Sequence, residues 1–146
     1  DGSHFPMALG FPMALGFPMA VHGAHAPRLS SKRAIVVSSI IQRATRAGDL
    51  CARYGGDEFV ILLPRCGRAA ADAVANRIRH DVFSGTQDFD YAMRRLAVTI
   101  GVAAAPDDGH ELRSLFRKAV RNMRKEQQSR DARAAGIPPR TREFAP

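Results

Sequence analysis

Between two apolar runs, Leu50 to Tyr54 and Phe59 to Leu63, stands Gly55-Gly56-Asp57-Glu58. Paired carboxylates at a tight turn are oxygen ligands of the kind Mg²⁺ prefers, and they could hold a divalent cation against a triphosphate. Glycines lack a Cβ and let the backbone approach a nucleotide closely. The same four residues also suit a turn kept for folding alone, so the local pattern leaves both readings open. Just upstream lies Arg46-x-x-Asp49. Arginine suits bidentate phosphate binding, yet an arginine ending a helix and an aspartate in the following turn need no ligand to explain them. His22 and His25 have no further ligands near them in sequence and read as a solvated loop rather than a metal pair.

The elements that must position these residues follow from periodicity. Ser30 or Ser31 can cap a helix, and Val36, Val37, Ile40, Ile41 and Ala44 then recur at helical spacing until Gly48. The two apolar runs around the glycine pair form a hairpin, ended by Pro64. Val60-Ile61-Leu62-Leu63 does not alternate with polar residues, which predicts a strand covered on both faces. A helix with Ala71, Val74, Ile78 and Val82 inward comes next. Leu96 to Ala103 is a second buried strand, and a last helix from near Glu111 buries Leu112, Leu115, Phe116, Ala119 and Met123. Gly136, Pro138 and Pro139 end the order. Helices packed on a sheet make this an α+β fold, an α/β sandwich.

The beginning is different in kind. From Phe5 the hexapeptide Phe-Pro-Met-Ala-Leu-Gly occurs twice, and a third copy breaks off at Ala20. Pro6, Pro12 and Pro18 remove backbone donors, so neither a long helix nor a central strand is expected there. Residues 1–29 read as a disordered low-complexity insertion, 30–134 as the folded domain and 135–146 as a disordered basic tail.

At 146 residues and 45% apolar content the chain can build one core but not two. No apolar run approaches the ~20 residues that span a bilayer, and the acidic start does not resemble a signal peptide. Cys51 and Cys66 sit at unequal distances from the hairpin turn and are not expected to pair; free thiols point to the cytoplasm. The net charge of +8 is largely arginine between Arg113 and Arg142. It suits an anionic partner or a solvated surface. No aromatic platform accompanies it, so nucleic acid is not the expected partner.

Arg53-Tyr54-Gly55-Gly56-Asp57-Glu58-Phe59 resembles the signature hairpin of the GGDEF family, and the likeness runs from Arg46 to Met123 through the alanine-rich helix and the Ala97–Ala103 strand. The resemblance implies a nucleotidyl-cyclase-like palm with a mostly antiparallel sheet. It implies a diguanylate cyclase, which joins two GTP molecules into cyclic di-GMP and pyrophosphate as a homodimer of half-sites. Asp57 and Glu58 would bind Mg²⁺ or Mn²⁺, or activate the attacking hydroxyl, while Gly55 and Gly56 would border the GTP. Arg46 and Asp49 would form the inhibitory site for cyclic di-GMP, with Arg77 adding a contact; a degenerate domain could keep that site alone and act as a receptor.

The likeness is partial. Asp1 stands for the first metal-binding aspartate, Ser3 replaces the second, and the first central strand is missing or replaced. The guanine-reading residues are displaced by the repeat. On the last helix Val120, Arg124 and Gln127 stand where the family has Asp, Tyr and a phosphate-binding Lys, with Arg130 near enough to compensate. Weak or absent turnover is the expectation.

Overall fold

The computed structural model describes residues 14–22, followed through their backbone, together with 31–55, 58–86 and 96–136. Strand β1 is Ala14–His22, helix α1 Ser31–Ala44, β2 Leu50–Arg53, β3 Glu58–Leu63, α2 Arg68–Gly85, β4 Ala97–Ala104 and α3 Leu112–Ala134. The sheet runs β2-β3-β1-β4, and every neighbouring pair is antiparallel. The α+β sandwich is thus as expected, with helices on both faces.

Helix α1 contains five β-branched apolar residues, each a few tenths of a kcal/mol worse than alanine in a helix. Burial decides the outcome: Val37, Ile40 and Ile41 are almost wholly enclosed, and each such side chain contributes about 2 kcal/mol. They share one cluster with Ile78 and Val82 of α2, Phe59, Ile61 and Leu63 of β3, and Val98, Ile100 and Val102 of β4. The other face of the sheet meets α3, where Leu115 and Ala119 pack with Ala103, Leu62 and Phe116. Leu112, expected inside, is 48% exposed at the start of α3. The unbroken apolar run of β3 is explained by this double cover, with Leu62 turned to α3 and its neighbours to α1 and α2.

Close approach of α3 to β4 depends on one glycine. A Cβ at Gly101 would stand 2.0 Å from the Ala119 carbonyl oxygen and 2.4 Å from the Met123 nitrogen.

Among the described residues β4 lies at the edge of the sheet, and side chains cover its outward carbonyls. Arg130 donates to Val98 O at 3.1 Å and Arg79 to Ile100 O at 3.1 Å. Arg68 and Asn122 donate to Val102 O at 3.2 and 2.8 Å, and the Asp108 amide donates to Ala104 O at 2.8 Å. Asp108 also accepts from the Ala104 amide and pairs with Arg68. An edge protected in this way is a poor template for another strand. The opposite edge, β2, is four exposed residues that, among the described residues, have a strand neighbour on one side only.

The structure corrects the reading of the repeat. The expectation that its prolines exclude a central strand fails, because Ala14–His22 occupies the position between β3 and β4. The register shifts between Gly16 and Met19 against both neighbours. Phe17-Pro18 therefore falls in an irregularity, where a residue without an amide hydrogen leaves no ladder bond unmade. The strand expected to be missing or replaced is thus replaced by repeat sequence. Residues 1–13, 23–30 and 137–146 lie outside the described residues. No helix among the described residues is long and apolar enough to cross a membrane.

Candidate functional site at the hairpin end of the sheet

The hairpin forms where the glycine pair predicts it. Arg53 pairs with Phe59, and the amides of Tyr54 and Gly55 both donate to Glu58 O, at 2.8 and 3.2 Å. Arg53 Nε donates to Gly55 O at 3.2 Å, and the exposed Tyr54 ring rests against Phe116 of α3 with centroids 5.7 Å apart. A Cβ at Gly55 would stand 3.0 Å from Glu58 Oε2, so the carboxylate lies over the glycine. Gly56, Asp57 and Asp1 lie outside the described residues.

Strand order gives Glu58 its surroundings. Ala20 of β1 pairs with Glu58 on one side and with Thr99 on the other. The hairpin turn, the end of β1 and the start of β4 therefore share one margin of the sheet. Glu58 alternates with Phe59, Ile61 and Leu63, and Thr99 with Val98 and Ile100, so both occupy the α3 face. Their Cα atoms are two interstrand steps apart, about 10 Å. Arg130 reaches Thr99 Oγ1 at 3.3 Å. The same Arg130 nitrogen donates to Val98 O at 3.1 Å, so the guanidinium sits at the outer edge of β4, while the Glu58 carboxylate stands on the other side of the end of β1. Of the residues at the altered family positions, Arg124 is exposed, and Val120 and Gln127 are half-buried.

The second constellation is assembled at the other end of β3. Arg46, Asp49 and Arg77 line one cleft of about 390 Å³ with Thr45, Cys66 and Val74. The Asp49 side chain is 4% exposed and accepts from the Arg46 amide at 2.9 Å and from Arg46 Nε at 3.4 Å. Arg46 also donates to Pro64 O at 2.9 Å, and Arg77 donates to Ala44 O at the end of α1. Gly48, at φ +98°, lets the chain reverse between α1 and β2 in a conformation glycine adopts freely. The structure brings these three residues into one cleft, and Cys66, which the sequence did not single out, joins them. Burial pushes the Cys66 thiol up; Arg46 pulls it down and Asp49 raises it further. The six residues of β3 separate the two sites by about 20 Å.

Among the described residues no three His, Cys, Asp or Glu side chains converge as a metal site. The donors at the hairpin are carboxylate oxygens, which suit a hard divalent cation.

The family model described as diguanylate cyclase, GGDEF domain, matches residues 34–133. The chain is 33% identical over 93 residues to diguanylate cyclase A of Treponema denticola, covering 64% of this chain and 25% of that protein. It is 37% identical over 76 residues to the response regulator PleD of Caulobacter vibrioides, covering 51% and 17%. The chain thus spans a quarter or less of these relatives. Among solved structures, the active GGEEF domain of a Vibrio cholerae diguanylate cyclase superposes with a TM-score of 0.66 at 17% identity, covering 82% of this chain and 78% of that one. The GGDEF domain of DgcB from Caulobacter crescentus, in complex with cyclic di-GMP, gives 0.62 at 19%, covering 82% and 74%. The chain belongs to the GGDEF domain family.

Proposed function

We propose that this chain is a diguanylate cyclase-type domain that binds GTP at the hairpin end of the sheet and has weak or no turnover. The observation that carries this reading is the hairpin itself, which forms at the glycine pair and sets the Glu58 carboxylate over Gly55 beside the end of β1. Asp57 and Glu58 would hold Mg²⁺ or Mn²⁺, which supplies charge neutralisation at the triphosphate when bound. Gly55 and Gly56 would border the GTP, and Arg130 would have to release Val98 O or Thr99 Oγ1 to reach a phosphate oxygen. In the full reaction the 3′-hydroxyl of one GTP attacks the α-phosphorus of the other, pyrophosphate leaves, and a carboxylate of the turn takes the hydroxyl proton. Two copies must face each other, so catalysis requires a homodimer, and GTP as substrate places the activity in the cytoplasm. Loss of the family's Asp, Tyr and Lys at Val120, Arg124 and Gln127 removes orienting terms, each on the order of a hundredfold in rate. Titrating the protein with GTP and Mg²⁺ should show binding that Glu58→Gln weakens at least tenfold, with little cyclic di-GMP formed. No binding by the folded wild-type protein would overturn the assignment.

A second reading has its own support, the cleft that collects Arg46, Asp49 and Arg77. In it the domain is a cyclic di-GMP receptor. Arg46 is 62% exposed in its side chain and can turn to phosphate or guanine, whereas Asp49 is already engaged by Arg46 and would share its remaining lone pairs. Calorimetry with cyclic di-GMP should show binding that Arg46→Ala abolishes; equal affinity in the two proteins rules the cleft out.

A further inference from the structure

The outer face of α3 carries charge that neither site above uses. Arg113, Arg117, Arg121, Arg124 and Lys125 are all exposed, and no acidic residue occurs between Glu111 and Glu126. At 3.6 residues per turn these five fall within about 120° of arc, spread over roughly 18 Å of helix. Leu115, Ala119 and Met123, the buried residues of α3, lie diametrically opposite. Other charges of the helix are already engaged: Lys118 reaches Asp108 at 3.7 Å, Arg130 donates to Val98 O, and Glu126 holds Arg79. Among the described residues the five outward side chains make no ion pair or hydrogen bond. We propose that this face docks the domain on a membrane surface rich in anionic phospholipid.

A face kept only for solvation has no need to be of one sign. Arg113, Arg117, Arg121 and Lys125 repeat at intervals of four, the spacing at which like charges repel and weaken a helix. Helix α2, by contrast, intersperses Asp72 and Asp81 among its arginines. The shape of the cationic face selects the partner. Side chains spread over one arc reach a single plane together, which is how a bilayer presents its phosphates. A helix lying in a duplex groove meets phosphates on both flanks and base edges between them, yet here arginines fill the middle of the arc as well. No aromatic side chain lies on the arc for single-stranded bases to stack on.

The apolar side of α3 is occupied by the core, so the attachment is electrostatic. Guanidinium forks match the paired oxygens of a phosphodiester. Each cation near an anionic bilayer raises partition about fivefold, and salt screens the attraction beyond about 8 Å. The cleft of Arg46, Asp49 and Arg77 lies across the sheet, between α1 and α2, and stays open when the face is docked.

Sedimentation of the full chain with lipid vesicles tests the proposal. At low salt the protein should bind phosphatidylcholine vesicles containing about one-third phosphatidylserine, ignore phosphatidylcholine alone, and be released at roughly 0.5 M salt. R113Q/R117Q/R121Q should lower the partition on the order of a hundredfold, and Arg117→Glu alone at least tenfold, with the urea midpoint measured for each. K32Q/R33Q/R133Q removes the same charge from other positions and should change it no more than about threefold, as should R113K/R117K/R121K, which keeps the charge of the face. Absence of binding at low salt, equal binding to phosphatidylcholine alone, or equal losses from the two glutamine variants overturns the proposal. So does a loss in the folded lysine variant as large as in R113Q/R117Q/R121Q. An oligonucleotide bound more tightly than the vesicles at equal phosphate concentration also overturns it and reassigns the face to nucleic acid.

Discussion

The guanidinium of Arg79, on α2, reaches Glu126, on α3, across the edge of β4, at 2.6 Å. It donates to Ile100 O from the same position, so the helices on opposite faces of the sheet are joined around its margin. Arg79→Ala should destabilise the domain by about 1–2 kcal/mol, since a partly exposed ion pair contributes little and the hydrogen bonds carry most of the loss. Urea denaturation measures this. Light scattering should also detect stronger association with concentration, because one outward carbonyl of β4 becomes available.

Gly101→Ala tests the contact between β4 and α3. The added methyl meets backbone atoms, which cannot rotate away as a flexible side chain can. Destabilisation of at least 2–3 kcal/mol is expected, at or beyond the upper part of the range for overpacked cores. Ala103→Gly, on the same face, should cost less, and a Gly101→Ala protein as stable as wild type would refute the packing.

Asp49→Asn replaces a buried carboxylate whose two oxygens accept from Arg46. One acceptor becomes a donor facing a guanidinium, and a loss of about 1–3 kcal/mol is expected. Calorimetry with cyclic di-GMP on the same variant separates a folding role from a binding one: unchanged affinity in a destabilised protein assigns Asp49 to the turn.

The thiols give a pH dependence. Burial raises both Cys51 and Cys66 above the ordinary thiol value of 9.0, most directly by penalising the thiolate. Folding therefore favours the protonated form. Any stability from this source is complete below about pH 9 and is lost as pH rises through the folded-state values. Alkylation by iodoacetamide at pH 8 should be slower than for an unfolded peptide, with the exposed Cys51 modified before the buried Cys66.

The sequence made the hairpin, α1 and α2 legible because each is a local pattern. The glycine pair marks the turn, and Val37, Ile40 and Ile41 mark a helical stripe whose burial outweighs their poor propensity. Arg46, Asp49 and Arg77 were named by the family resemblance and not by a local pattern, and the structure sets them around one cleft. β1 was not legible. A proline rule argues against a central strand, and only the pairing partners show that Pro18 falls in an irregularity. The approach of Arg130 to Thr99, and of Thr99 to the row of Glu58, depends on strand order and is invisible along the chain. The arginines that cover β4 come from helices on both faces, so their basic charge read as solvated surface or anion-binding surface when part of it serves the backbone.

The two margins of the sheet differ in a way that limits how copies can join. Among the described residues, guanidinium and amide groups seal one side, while the four residues of β2 on the other are exposed. Ribbon-to-ribbon contact between two molecules closes on itself, leaving only sealed sides facing outward. Such lateral contact stops at pairs and does not propagate into fibres.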